Sequence, residues 1–170
     1  VVAEDAATLV YLANQACVTL HAGLFRIDRI DPPDMMVLDL DPSADDFTKV
    51  RTETVRLLDD GVAAYNRGEF AAAAEHLKNA ARMALNNFRV HYYLGLALTG
   101  DRRPAEAVQA LEVALDLEPA NAQAHVAMGN ARLGQGDPDE AAAAFVRALK
   151  LCAELPAGLD GIARVYESQG

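Results

Sequence analysis

A period of 34 residues constrains this chain more than any other feature. Three windows aligned from Thr54, Phe88 and Ala122 share their columns. The eighth position reads Gly61, Gly95 and Gly129, the twentieth Ala73, Ala107 and Ala141, and the twenty-seventh Ala80, Ala114 and Ala148. Small residues there let two helices approach closely. Large residues at positions four, seven and twenty-four fill the space between repeats: Leu57 and Leu77, then His91, Leu94 and Leu111, then His125, Met128 and Phe145. Position fifteen holds Gly68, Arg102 and Gly136, a turn site that ends the first helix. Pro119 stops a second helix, and Asp137-Pro138-Asp139-Glu140 reads as a turn followed by a helix start. A unit of this length cannot bury its apolar face alone, so the units must stack.

This pattern resembles the tetratricopeptide repeat over residues 54–170, with full repeats at 54–87, 88–121 and 122–155 and a partial one at 156–170. The expected fold is mainly α, a superhelix of helical hairpins: three full repeats and the first helix of a fourth. The resemblance implies that positions two, five, nine and twelve of each first helix line a concave groove. Its candidate lining is Val55, Leu58, Val62 and Tyr65, then Arg89, Tyr92, Leu96 and Thr99, then Gln123, Val126, Asn130 and Leu133. Tyr65 and Tyr92 are candidate anchors for a partner helix or extended peptide. The family's carboxylate clamp for acidic chaperone tails requires Lys and Asn on the first repeat, where Leu58 and Val62 stand.

Composition agrees with packed helices and excludes other classes. Ala accounts for 34 of 170 residues, and the apolar share is 52%. A net charge of −10 opposes a broad phosphate-binding surface. Cys17 and Cys152 form no disulfide framework and no zinc spacing, so a reducing cytoplasm is the expected compartment. Residues 6–25 lack Asp, Glu, Lys and Arg, but Thr8, Asn14, Gln15, Thr19 and His21 interrupt the run and no basic start precedes it. It reads as neither a membrane span nor a signal peptide. Val1 and Gly170 both read as cut ends.

Residues 1–53 do not fit the period and read as a small α+β segment. A helix is expected over Ala6–Asn14, a short strand over Cys17–His21 and another over Met35–Asp41. Ser43, Asp45 and Asp46 suit a helix N-terminus, and that helix could run into the first repeat without a linker. Asp39 and Asp41 stand two residues apart on the strand, so they project from one face. Such a pair can hold Mg²⁺ or Mn²⁺ against a nucleotide's phosphates. The series Leu9-Val10-Tyr11-Leu12-Ala13-Asn14, Leu20-His21, Arg26-x-Asp28, Pro33-Asp34 and Leu38-Asp39-Leu40-Asp41-Pro42 resembles the primase-polymerase domain of bacterial ATP-dependent DNA ligase D, over about residues 4–60. By that resemblance Asp39 and Asp41 match its metal-binding pair, and His21 an active-site histidine. The Ser, second His and third carboxylate that this family places downstream are absent, because the repeats occupy that stretch.

Two functions follow. One is a scaffold without catalysis or cofactor that binds a protein or peptide in the groove. The alternative is a Mg²⁺- or Mn²⁺-dependent nucleotidyltransferase of end-joining repair that acts on DNA and nucleotide through His21, Asp39 and Asp41. The join of two family patterns reads as a natural fusion, a recombined gene or an assembled sequence.

Overall fold

A computed structural model describes residues 44–169. By proximity of Cα atoms the chain divides into Val1–Pro42 and Ser43–Gly170. The expected helix at Ala6–Asn14, the strands at Cys17–His21 and Met35–Asp41, and the candidates His21, Asp39 and Asp41 lie outside the described residues.

Seven helices follow one another, with no strand among the described residues. They are α1 (Ala44–Asn66), α2 (Phe70–Met83), α3 (Phe88–Gly100), α4 (Pro104–Leu117), α5 (Ala122–Gln135), α6 (Pro138–Leu151) and α7 (Pro156–Gln169). The pairs α1/α2, α3/α4 and α5/α6 are the three hairpins, and α7 is the first helix of a fourth. Each first helix also touches the next first helix, while the second helices do not meet one another. The first helices therefore line the inner side of the superhelix. Helix α1 has 23 residues, against 13 or 14 in the others, and runs unbroken across residue 54 into the first repeat.

The repeat columns become contacts. A Cβ built on Gly61 would stand 2.6 Å from Leu77 Cγ, and one on Gly129 2.6 Å from the Phe145 ring. One on Gly95 would run into Leu111. Position eight is thus the seat for the large side chain of the second helix, and Leu77, Leu111 and Phe145 are fully buried. Phe145 also packs against Gly161 of α7, which lets that helix close over the third hairpin. Position fifteen is left-handed in all three repeats, with φ of 78° at Gly68, 58° at Arg102 and 85° at Gly136. Arg102 holds this conformation despite its Cβ, at a cost of about 1–2 kcal/mol.

The turns between repeats are fastened twice. Asn87 and Asn121 are N-caps, their side-chain oxygens accepting from Val90 N–H and Ala124 N–H at 3.3 and 3.1 Å. His91 and His125 are buried at position four. Each imidazole Nε2 lies 2.9 Å from a carbonyl six residues upstream, that of Leu85 or Pro119. A carbonyl can only accept, so Nε2 carries the proton in both.

Candidate functional site

The groove is built from the first helices. Their inner residues stand at i, i+3 or i+4 and i+7, one face of a 3.6-residue helix. Of the residues expected there, Val62, Tyr65, Tyr92, Leu96, Thr99, Asn130 and Leu133 are half-buried, and Arg89, Gln123 and Val55 are exposed. Leu58 and Val126 are not open to a ligand: they retain 5% and 6% of their surface and belong to the two apolar core clusters. Position five faces the neighbouring helix as much as the groove, which the column alone does not reveal.

Five aromatic rings connect along this side. Phe70 and Tyr65 lie 5.7 Å apart between centroids, Tyr65 and Tyr93 6.2 Å, and Tyr93 and Tyr92 5.4 Å. Phe88 stacks on Tyr92 at 5.5 Å with the planes 11° apart. Tilted, edge-on and offset contacts of this kind are favoured by the ring quadrupole and rigidify the surface that carries them. Burial, then the Tyr93 and Tyr65 phenols, hold the Tyr92 phenol above its ordinary pKa, so it remains a neutral hydroxyl at physiological pH.

Beside the rings lies an open recess of about 280 Å³. Tyr65, Phe70, Leu96 and Thr99 line it together with Asn130 and Arg164. Helix α3 can approach α2 here because it ends in Gly100, where a Cβ would stand 2.6 Å from the Phe70 ring. Sequence columns missed Phe70, Tyr93, Gly100 and Arg164. Arg164 was within reach: it is position nine of the fourth window, in the row of Val62, Leu96 and Asn130.

A larger concavity of about 350 Å³ lies between α4, α5 and α6. Its Glu112, Asp116 and Glu140 face Arg132 and Arg147, and Arg132 already pairs with Glu112 at 3.4 Å. It gathers none of the expected groove residues. No group of three His, Cys, Asp or Glu side chains able to hold a metal occurs among the described residues. No helix among them is long and apolar enough to cross a membrane.

Comparison with known proteins gives two family matches. Residues 58–122 and 98–151 match tetratricopeptide-repeat models, together more than half of the chain. Residues 1–65 match the primase-polymerase domain of LigD. The two patterns overlap within α1, so one helix satisfies both. An Hsp70-Hsp90 organizing protein of Triticum aestivum is 34% identical over 91 residues, 54% of this chain; the match spans 16% of that relative's length. The TPR domain of Arabidopsis OM64 superposes with a TM-score of 0.64 at 22% identity, over 67% of this chain and 94% of that one. The second TPR domain of human RPAP3, solved with the HSP70 peptide SGPTIEEVD, gives 0.65 at 18% identity, over 69% and 98%. The chain belongs to the tetratricopeptide-repeat family, and its first 65 residues carry the pattern of the LigD primase-polymerase domain.

Proposed function

We propose that this chain is a protein-interaction module that holds an extended peptide or helix of a partner in the groove of its first helices, in the cytoplasm and without catalysis of its own. One observation carries the reading: Val62, Tyr65, Tyr92 and Leu96 are half-buried on the inner helices, and Tyr65 and Leu96 among them line an open recess. Half-exposed aromatic and aliphatic side chains on a rigid frame suit anchoring a ligand at low ordering cost. The human RPAP3 domain of the same fold was solved with a peptide, which supports the use of such a groove. The chain lacks Lys and Asn at the clamp positions Leu58 and Val62, so an acidic chaperone tail is not the ligand favoured here.

Selection of a displayed random peptide library on the full chain tests this reading, with Leu96→Glu and Tyr92→Ala as controls checked for folding by their melting temperatures. A shared motif that both variants fail to retain is the expected result. Peptides retained equally by both folded variants would remove the groove from the account.

The family match at residues 1–65 favours a second reading, a nucleotidyltransferase site at His21, Asp39 and Asp41 with Mg²⁺ or Mn²⁺. Calorimetric titration of Mn²⁺ with ATP into the chain and its Asp39→Ala/Asp41→Ala variant separates the two. Under the scaffold reading the heats are small and equal. Nucleotide-enhanced binding that the variant loses would establish the metal site.

A further inference from the structure

The recess on the inner helices holds one charged side chain, Arg164. Its guanidinium donates through Nη1 to Asn130 Oδ1 at 2.8 Å. None of the ion pairs among the described residues includes it. Asp160, four residues before, and Glu167, three after, stand at spacings that commonly pair on a helix, yet the guanidinium turns across to the amide of α5. A guanidinium offers five N–H donors in a planar fork. The amide oxygen takes one, and the recess lies beside it. The Tyr65 and Phe70 rings and the Leu96 side chain line the same recess. The recess thus joins an apolar lining to an un-neutralised cation, in a unit (residues 44–170) that carries 18 Asp and Glu against 13 Lys and Arg.

Resting on the groove reading, we propose that the recess selects an extended peptide in which an apolar side chain meets Tyr65, Phe70 and Leu96 while a neighbouring Asp or Glu pairs with Arg164, the rest of the peptide being neutral or basic. The carboxylate comes from a side chain and not from a chain end, because the recess is open and a passing segment can continue beyond it. The neutral or basic remainder follows from the surrounding field: an acidic protein repels a peptide with several carboxylates. One acid at Arg164 meets local attraction, and a run of acids meets mostly repulsion. This chemistry differs from that of a tail held by Lys and Asn on the first helix, where Leu58 is buried and Val62 is apolar.

The test uses three sets of fluorescein-labelled octapeptides, random except at two central positions. The first is amidated at its C-terminus and fixes Leu followed by Asp. The second is amidated and fixes Leu followed by Asn. The third fixes Leu followed by Asn and ends in a free carboxylate. Anisotropy is measured against the chain and its Arg164→Gln, Arg164→Lys and Leu96→Glu variants. Because Arg164 is exposed, the first set should bind about two- to fivefold more tightly than the second. Arg164→Gln should erase that preference, Arg164→Lys should keep part of it, and Leu96→Glu should weaken both sets. Binding that Leu96→Glu weakens but that shows no preference for Asp, or one surviving Arg164→Gln, overturns the carboxylate seat and leaves the groove reading standing. Preference for the third set alone overturns the side-chain source. No binding sensitive to Leu96→Glu removes the groove reading and this proposal together.

Discussion

At the scale of the residue, the two turn and packing columns make opposite demands. Arg102 occupies a left-handed turn that Gly68 and Gly136 fill in the flanking repeats. Arg102→Gly relieves about 1–2 kcal/mol of backbone strain and adds about 0.5–1 kcal/mol of unfolded-chain entropy. The net expectation is a gain of up to about 1 kcal/mol, read as a higher urea midpoint with an unchanged slope. Gly95 is the reverse case. Ala there would gain about 1 kcal/mol of helix propensity but would drive its Cβ into Leu111, an overpacking that costs about 1–3 kcal/mol. Gly95→Ala should therefore lower the melting temperature. Gly134→Ala meets only Pro104, at 3.2 Å from its Cβ, and should be close to neutral. Equal effects at Gly95 and Gly134 would show that the seat of Leu111 is looser than described. The need for Gly at position eight was legible in the sequence, because the column repeats with a large residue sixteen positions on. The strain at Arg102 was half legible: its column marks a turn, but an Arg gives no sign of its own φ.

At the scale of the element, Phe145 joins two repeats. It is fully buried, seated on Gly129 within its hairpin and packed by Gly161 from α7. Phe145→Ala should cost about 3–5 kcal/mol. Phe145→Leu should cost less than about 1.5 kcal/mol, since Leu77 and Leu111 fill the equivalent seat elsewhere. Because α7 packs on Phe145, hydrogen exchange in α7 should accelerate in Phe145→Ala well before that in α3. Uniform acceleration through all helices would contradict the nearest-neighbour character of the stack. The stacking of helical hairpins, the helix start at Pro138 and the burial of His91 and His125 followed from the period and from turn chemistry. Two packing features did not. Gly100 seats Phe70 and Gly134 approaches Pro104: both glycines hold position thirteen, but their partner at position seventeen changes from Phe to Pro, so no matched column marks the junction. Leu58 and Val126 are withdrawn from the groove into the two apolar core clusters, while Tyr92 at the same position stays half-buried, a difference that the column does not carry.

At the scale of the whole molecule, the described unit, residues 44–169, has inner helices that touch one another and outer helices that do not, which makes it a curved array with one continuous inner face. Several cations of the described surface are committed elsewhere: Arg103 and Lys78 converge on Glu106 at 2.7 and 3.1 Å, lowering its carboxyl pKa through those hydrogen bonds, and Arg67 pairs with Glu69 at 2.8 Å. Arg164 in the groove is not so committed. The overlap of the two family patterns within α1 places the first repeat on the helix that ends the LigD-like segment. Groove function should therefore be indifferent to Asp39→Ala, and peptide affinity within twofold of the unsubstituted chain would agree.

The central claim is that the inner face is the binding face. Its most direct measurement is the amide spectrum of isotopically labelled chain titrated with a peptide selected on it. Binding on the inner face should give shifts concentrated on α1, α3, α5 and α7, strongest around Val62, Tyr65, Leu96, Asn130 and Arg164. Shifts concentrated on α2, α4 and α6, or around Glu112 and Arg147 on the other side, would contradict it.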